Sequence, residues 1–140
     1  MSDLERAKAL LERPGCTFAA VRGDQERTSG IRGVKPLLDQ LEEGLDGWSC
    51  ADKAVGKAPA MLYVLLGVKE VYTHVITKDA ENVLSDAGIK YTYDVETDKI
   101  MNRDGTDICP MEKAVAGLDA PEEALSAIRA KLKEIEARDK

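Results

Sequence analysis

The 140-residue sequence is 44% apolar and carries 26 Asp and Glu against 20 Lys and Arg, a net charge of −6. That balance suits one domain with a full core and argues against general nucleic-acid binding, which needs a basic face to displace counterions. No stretch approaches the roughly 20 apolar residues of a membrane helix, and the charged start Ser2-Asp3-Leu4-Glu5-Arg6 is no signal peptide, so a cytoplasmic protein without a membrane partner is expected.

Three cysteines, Cys16, Cys50 and Cys109, lie far apart with no C-x-x-C pair, which speaks against a disulfide framework or a zinc ribbon and for reduced thiols. The one histidine, His74, sits in the strand-like run Val71-Tyr72-Thr73-His74-Val75 and reads as structural. Residues 1–140 form one domain, with a core at about 16–118 and terminal helices at about 2–13 and 121–138.

In chain order, Ser2 and Glu5 form a capping box, and Leu4, Ala7, Leu10 and Leu11 give an amphipathic helix ended by Pro14-Gly15. Residues 16–29 read as a β-hairpin turning at Arg22-Gly23-Asp24; this Arg-Gly-Asp string has no integrin to meet in a cytoplasmic setting. Leu37, Leu38, Leu41 and Leu45 mark a second helix with Pro36 in its first turn, preceded by a local basic excess of Arg27, Arg32 and Lys35.

Trp48 to Ala51 make a short strand, and Asp52-Lys53-Ala54-Val55-Gly56-Lys57 a polar turn with Asp52 as candidate N-cap. Pro59 to Leu66 form a helix apolar all round, hence buried, stopped by Gly67. Strand 71–76, helix 79–87 and strand 89–95 follow, and this alternation implies right-handed crossovers and a parallel half-sheet. The polar segment Ile100 to Asp107 leads to Cys109-Pro110-Met111-Glu112, with Cys109 as N-cap of a helix, a position that favours thiolate. Leu125, Ile128, Leu132 and Ile135 stripe a last helix, expected to cover the edge strand with its two tyrosines. A monomer, or at most a weak homodimer, follows.

Candidate chemistry centres on the turn at the end of the strand, where backbone N–H groups and a helix dipole favour an anion. Ala51 to Ala58 keep the spacing of a phosphate loop, with Gly56 and Lys57 in place, but Ala51 replaces the first glycine and Ala58 the magnesium-binding hydroxyl. A nucleoside triphosphatase is therefore rejected. A bare connector, with Asp52 capping and the lysines solvated, is the alternative.

The strings Gly33-Val34-Lys35-Pro36-Leu37-Leu38, Ala51-Asp52-Lys53-Ala54-Val55-Gly56-Lys57-Ala58, and Asn102-Arg103-Asp104-Gly105-Thr106 with Cys109-Pro110-Met111-Glu112 resemble an uncharacterised prokaryotic family, domain of unknown function 1893. The likeness runs from about Cys16 to Glu123, with Pro59 a departure from the Ala-rich stretch usual there. It implies a three-layer α/β/α sandwich with a mixed five-stranded sheet, cytidine deaminase-like. Deaminases of that fold hold zinc through H-x-E and P-C-x-x-C at two helix starts. The corresponding stretches here, Arg32-Gly33-Val34-Lys35 and Ser49-Cys50-Ala51-Asp52-Lys53, supply no such set, so no zinc deaminase, metal or cofactor is expected.

The resulting expectation is a domain that binds a small anionic ligand, such as a nucleotide, at converging helix N-termini. Its binding residues would be Lys53, Gly56, Lys57 and Lys35, joined by Asn102 and Arg103 if their segment folds back. The alternatives are a thiol enzyme with Cys109 as nucleophile and Asp52 or Glu112 as proton carrier, and a protein interaction module. Whether any reaction is catalysed stays open.

Overall fold

A computed structural model describes residues 1–138. Helix α1 (Asp3–Leu11) starts at the predicted capping box: the Glu5 N–H donates to Ser2 Oγ (3.1 Å) and the Ser2 N–H to Glu5 Oε1 (3.3 Å). Strands β1 (Phe18–Arg22) and β2 (Gln25–Ser29) make the predicted hairpin, whose two-residue loop needs Gly23 at φ +59°. Then follow α2 (Lys35–Gln40), β3 (Ser49–Val55), α3 (Lys57–Leu66), β4 (Glu70–Thr77), α4 (Lys78–Asp86), β5 (Lys90–Thr97), α5 (Pro110–Val115) and α6 (Pro121–Arg138).

The strands form one mixed sheet in the order β2-β1-β3-β4-β5. The hairpin joins β3 antiparallel, and β3, β4 and β5 run parallel, as the crossover helices α3 and α4 require. Helices lie on both faces. On one, Ala7, Leu10 and Leu11 of α1 pack on Ala19, Val21, Ala51 and Tyr72; on the other, α3 lies at the centre of a larger core with Phe18, Ala20, Cys50, Val71 and Ile76 beneath it.

Two strands break their alternation at the same level. Cys50 and Val55 both face the larger core, as do Val71 and Ile76, although residues five apart on a regular strand point to opposite faces. The break falls where the β3–β4 register steps from Asp52–Thr73 to Ala54–Val75 and leaves out Lys53 and His74.

Three expectations need correction. The strand at Ser49 does not stop at Ala51, because Val55 is buried and paired with Ile76 of β4. Asp52 and Lys53 are thus strand residues, and Gly56, not Asp52, is the N-cap of α3. The second helix ends at Gln40, its leucine stripe continuing to Leu45 through turns rather than helix. Finally, α6 does not cover β5. An apolar-all-round α3 needs shelter on the side away from the sheet, and α6 supplies it with the buried Ala124 and Ile128. Tyr93 and Val95 of β5 stay 41% and 56% exposed. Among the described residues, no helix is long and apolar enough to cross a membrane.

Candidate functional site

A cavity of about 430 Å³ opens at the carboxyl end of β3, between the start of β1, the approach to α2, the first turn of α3 and the segment leading into α5. Its walls are largely apolar, with Phe18, Val34, Leu37, Ile100 and Met111 among them. Five titratable residues line it: Asp52, Lys53, Arg32, Cys109 and Glu112.

Asp52 sits at the break in β3. Its Oδ2 accepts from the hydroxyl of fully buried Tyr63 (2.7 Å) and its Oδ1 from the Lys53 N–H (2.8 Å). Burial pushes its carboxyl up from the ordinary 3.8 to about 6, against the pull of those hydrogen bonds. Tyr63 is itself driven well above its usual range by burial and then by the Asp52 charge. Cys50, two residues back on the same strand, is fully buried, and burial raises its thiol far out of reach of thiolate chemistry.

Lys53 is half-buried and Arg32 exposed, and neither forms an ion pair among the described residues. Of the local basic excess, only Arg32 reaches the cavity. Arg27 is committed to Gln40 (2.6 Å), Glu43 (2.9 Å) and the Trp48 ring (4.4 Å), and Lys35 lies outside, 3.8 Å from Asp39.

Glu112 occupies the place expected for a ligand anion. Its Oε1 accepts the Lys57 N–H (2.6 Å) and its Oε2 the Ala58 N–H (2.9 Å), so one carboxylate satisfies two otherwise unpaired donors of α3. Burial raises its pKa above the ordinary carboxylate value, with nearby Asp79 adding to the rise and the two N–H bonds opposing it. Both of its oxygens are thus committed to the start of α3.

Cys109 is the N-cap of α5 as expected and lines the same cavity as Asp52 and Lys53, so the two sequence motifs do converge. Its thiol makes no capping bond, and α5 is only six residues long. Besides Lys35, three predicted ligand residues fall elsewhere. The Lys57 side chain lies in clefts beyond Glu112, with Asp79. Asn102 braces its own loop, its Oδ1 accepting from the N–H groups of Thr106 (3.0 Å) and Asp107 (3.4 Å), and Arg103 is exposed outside the cavity. Gly56 is at the wall and in contact with Glu112. Tyr63 was missed because its contact with Asp52 spans a strand, a turn and a helix and leaves no short-range pattern. Among the described residues no group of three His, Cys, Asp or Glu is placed to hold a metal.

The TM1506 family, described as a domain of unknown function (DUF1893), matches residues 6–132. The crystal structure of a DUF1893 family protein from Thermotoga maritima is similar, with a TM-score of 0.82 and 28% sequence identity over 96% of this chain and 91% of that one. No curated protein matches.

Proposed function

The chain belongs to the DUF1893 family, whose description names no reaction, and on that premise we propose that it binds a small anionic, nucleotide-like ligand in the cavity at the end of β3. We read the architecture as a three-layer α/β/α sandwich of the cytidine deaminase-like kind whose zinc ligands are missing. The observation that carries the binding proposal is Lys53, a half-buried cation without an ionic partner among the described residues, set beside a carboxyl pushed up to about 6.

Perturbed groups gathered in an apolar cavity, here the Asp52 and Glu112 carboxyls, are characteristic of binding sites. A ligand anion would neutralise Lys53, with Arg32 at the mouth adding a second donor set suited to phosphate or carboxylate. The anion sits on these side chains rather than on the start of α3, because Glu112 already fills that end. The apolar walls take the uncharged body of the ligand, and Asp52 accepts from a donor on it.

Calorimetric titration with nucleosides and their mono- and diphosphates tests this. Phosphorylated compounds should bind and uncharged nucleosides should not. Lys53→Ala should weaken binding at least about tenfold, equivalent to about 1.4 kcal/mol, while Lys35→Ala and Arg103→Ala leave it unchanged. Unaltered affinity in the Lys53→Ala protein would remove the proposed site.

One observation favours a second reading, a thiol enzyme: Cys109 lines one cavity with Asp52, whose carboxyl, pushed up to about 6, is the proton carrier in this reading. Iodoacetamide kinetics decide it. A pH profile of Cys109 alkylation whose midpoint lies no lower than that of a free thiol peptide would end the nucleophile role.

A further inference from the structure

Glu112 reaches outside its own helix to bond α3, 54 and 55 positions earlier in the chain. The residue before those two N–H groups is Gly56, whose φ of −93° is open to any amino acid. Space, not backbone freedom, is what a larger residue would contest, and what it would displace is the movable end of the Glu112 side chain. A Cβ there would lie 2.8 Å from Glu112 Oε2 and closer still to Oε1 and the carboxyl carbon.

The segment carrying Glu112 is one wall of the cavity, through Ile100, Cys109 and Met111. It is braced within itself. The Cys109 N–H donates to the Ile100 carbonyl (2.8 Å), the Asn102 N–H to the Asp107 carbonyl (2.8 Å), and the Asn102 side chain closes the turn. These bonds tie the two ends of the segment to each other. It is fastened to α3 by the two Glu112 bonds, and its helix is seated in the core by Met111 and Val115. Bonds from a carboxylate to helix N-terminal N–H groups are stronger than neutral ones, and here both depend on one side chain.

We propose that Glu112 is a latch: its paired bonds to the N-terminus of α3 hold the 100–115 segment against the cavity, and their release widens the cavity's mouth to solvent and ligand. This concerns access alone. It stands or falls independently of which ligand, if any, the cavity takes.

Two variants of opposite chemistry test it on the full-length protein without ligand. Gly56→Ala keeps the carboxylate but puts a methyl group in its place, and Glu112→Gln keeps the shape but sets an amide N–H₂ against a backbone donor. Hydrogen exchange followed by mass spectrometry should show residues 100–115 opening at least tenfold faster in both, with β3 and β4 exchanging as in the parent. A bulky maleimide should label Cys109 at least tenfold faster, with Cys50 still protected. The proposal is overturned if 100–115 and Cys109 behave as in the parent. Faster exchange confined to the first turn of α3 would also overturn it, since that is the mark of a simple cap, as would uniformly faster exchange across the sheet.

Discussion

Asp52 combines a structural cost with a functional position. Its folded-state pKa of about 6 lies above the ordinary 3.8, so the native state binds the proton more tightly than the unfolded chain. Stability from this group is therefore fully present below about pH 4 and lost as pH rises through about 6, by at most about 3 kcal/mol. The raised carboxyl of Glu112 works in the same direction, so a comparison is needed to isolate Asp52. In urea unfolding across pH 4 to 7, the free-energy difference between the Asp52→Asn protein and the parent should shift in favour of Asp52→Asn as pH rises. A difference independent of pH would show that the carboxyl is not perturbed. Tyr63→Phe removes the hydroxyl that supports the Asp52 carboxylate at 2.7 Å; it should cost about 1–3 kcal/mol at neutral pH and move the pH-dependent loss to higher pH.

At the level of elements, helix starts follow local rules where they are not called on to build the cavity. Thr77 caps α4, its Oγ1 accepting the Ala80 N–H at 3.1 Å, and Thr77→Ala should cost about 1 kcal/mol in thermal or urea unfolding. Helix α3 has no such residue of its own. Gly56 offers no side chain, and the cap comes from Glu112 in another element, a dependence that no window of sequence around Gly56 contains. The break in β3 and β4 is similar in kind. Hydropathy places Cys50 and Val55 in a core, but only the paired strands reveal that both face the same one.

For the whole molecule, the placement of α6 alters the basis of the oligomer expectation. Its stripe shields α3 and α5, leaving β5 as a long edge with Tyr93 and Val95 in contact with water. Deleting residues after Ala120 should therefore expose the outer side of α3 and abolish cooperative unfolding, rather than dissociate a dimer. Any self-association should run through β5. Sedimentation should find monomer at low micromolar concentration and weak association well above it, removed by Val95→Lys, a charge of the kind that protects sheet edges. Association surviving that change would place the contact elsewhere.

Local chemistry in the sequence was enough for the element order, the hairpin, the capping box of α1, the parallel half-sheet and the joint appearance of Asp52, Lys53 and Cys109 as residues of interest. Each depends on periodicity, turn residues or caps that act over a few positions. Tertiary structure alone decided that Asp52 lies on a strand against Tyr63, that Arg32 reaches the cavity while Lys35, Asn102 and Arg103 do not, and that α6 turns to α3 instead of β5. It also decided that the helix end read as an open anion site is closed by Glu112. The reason is common to all four: burial and competition among partners distant in sequence set where a charge ends up, and a carboxylate more than fifty residues away can satisfy two N–H groups as well as any ligand.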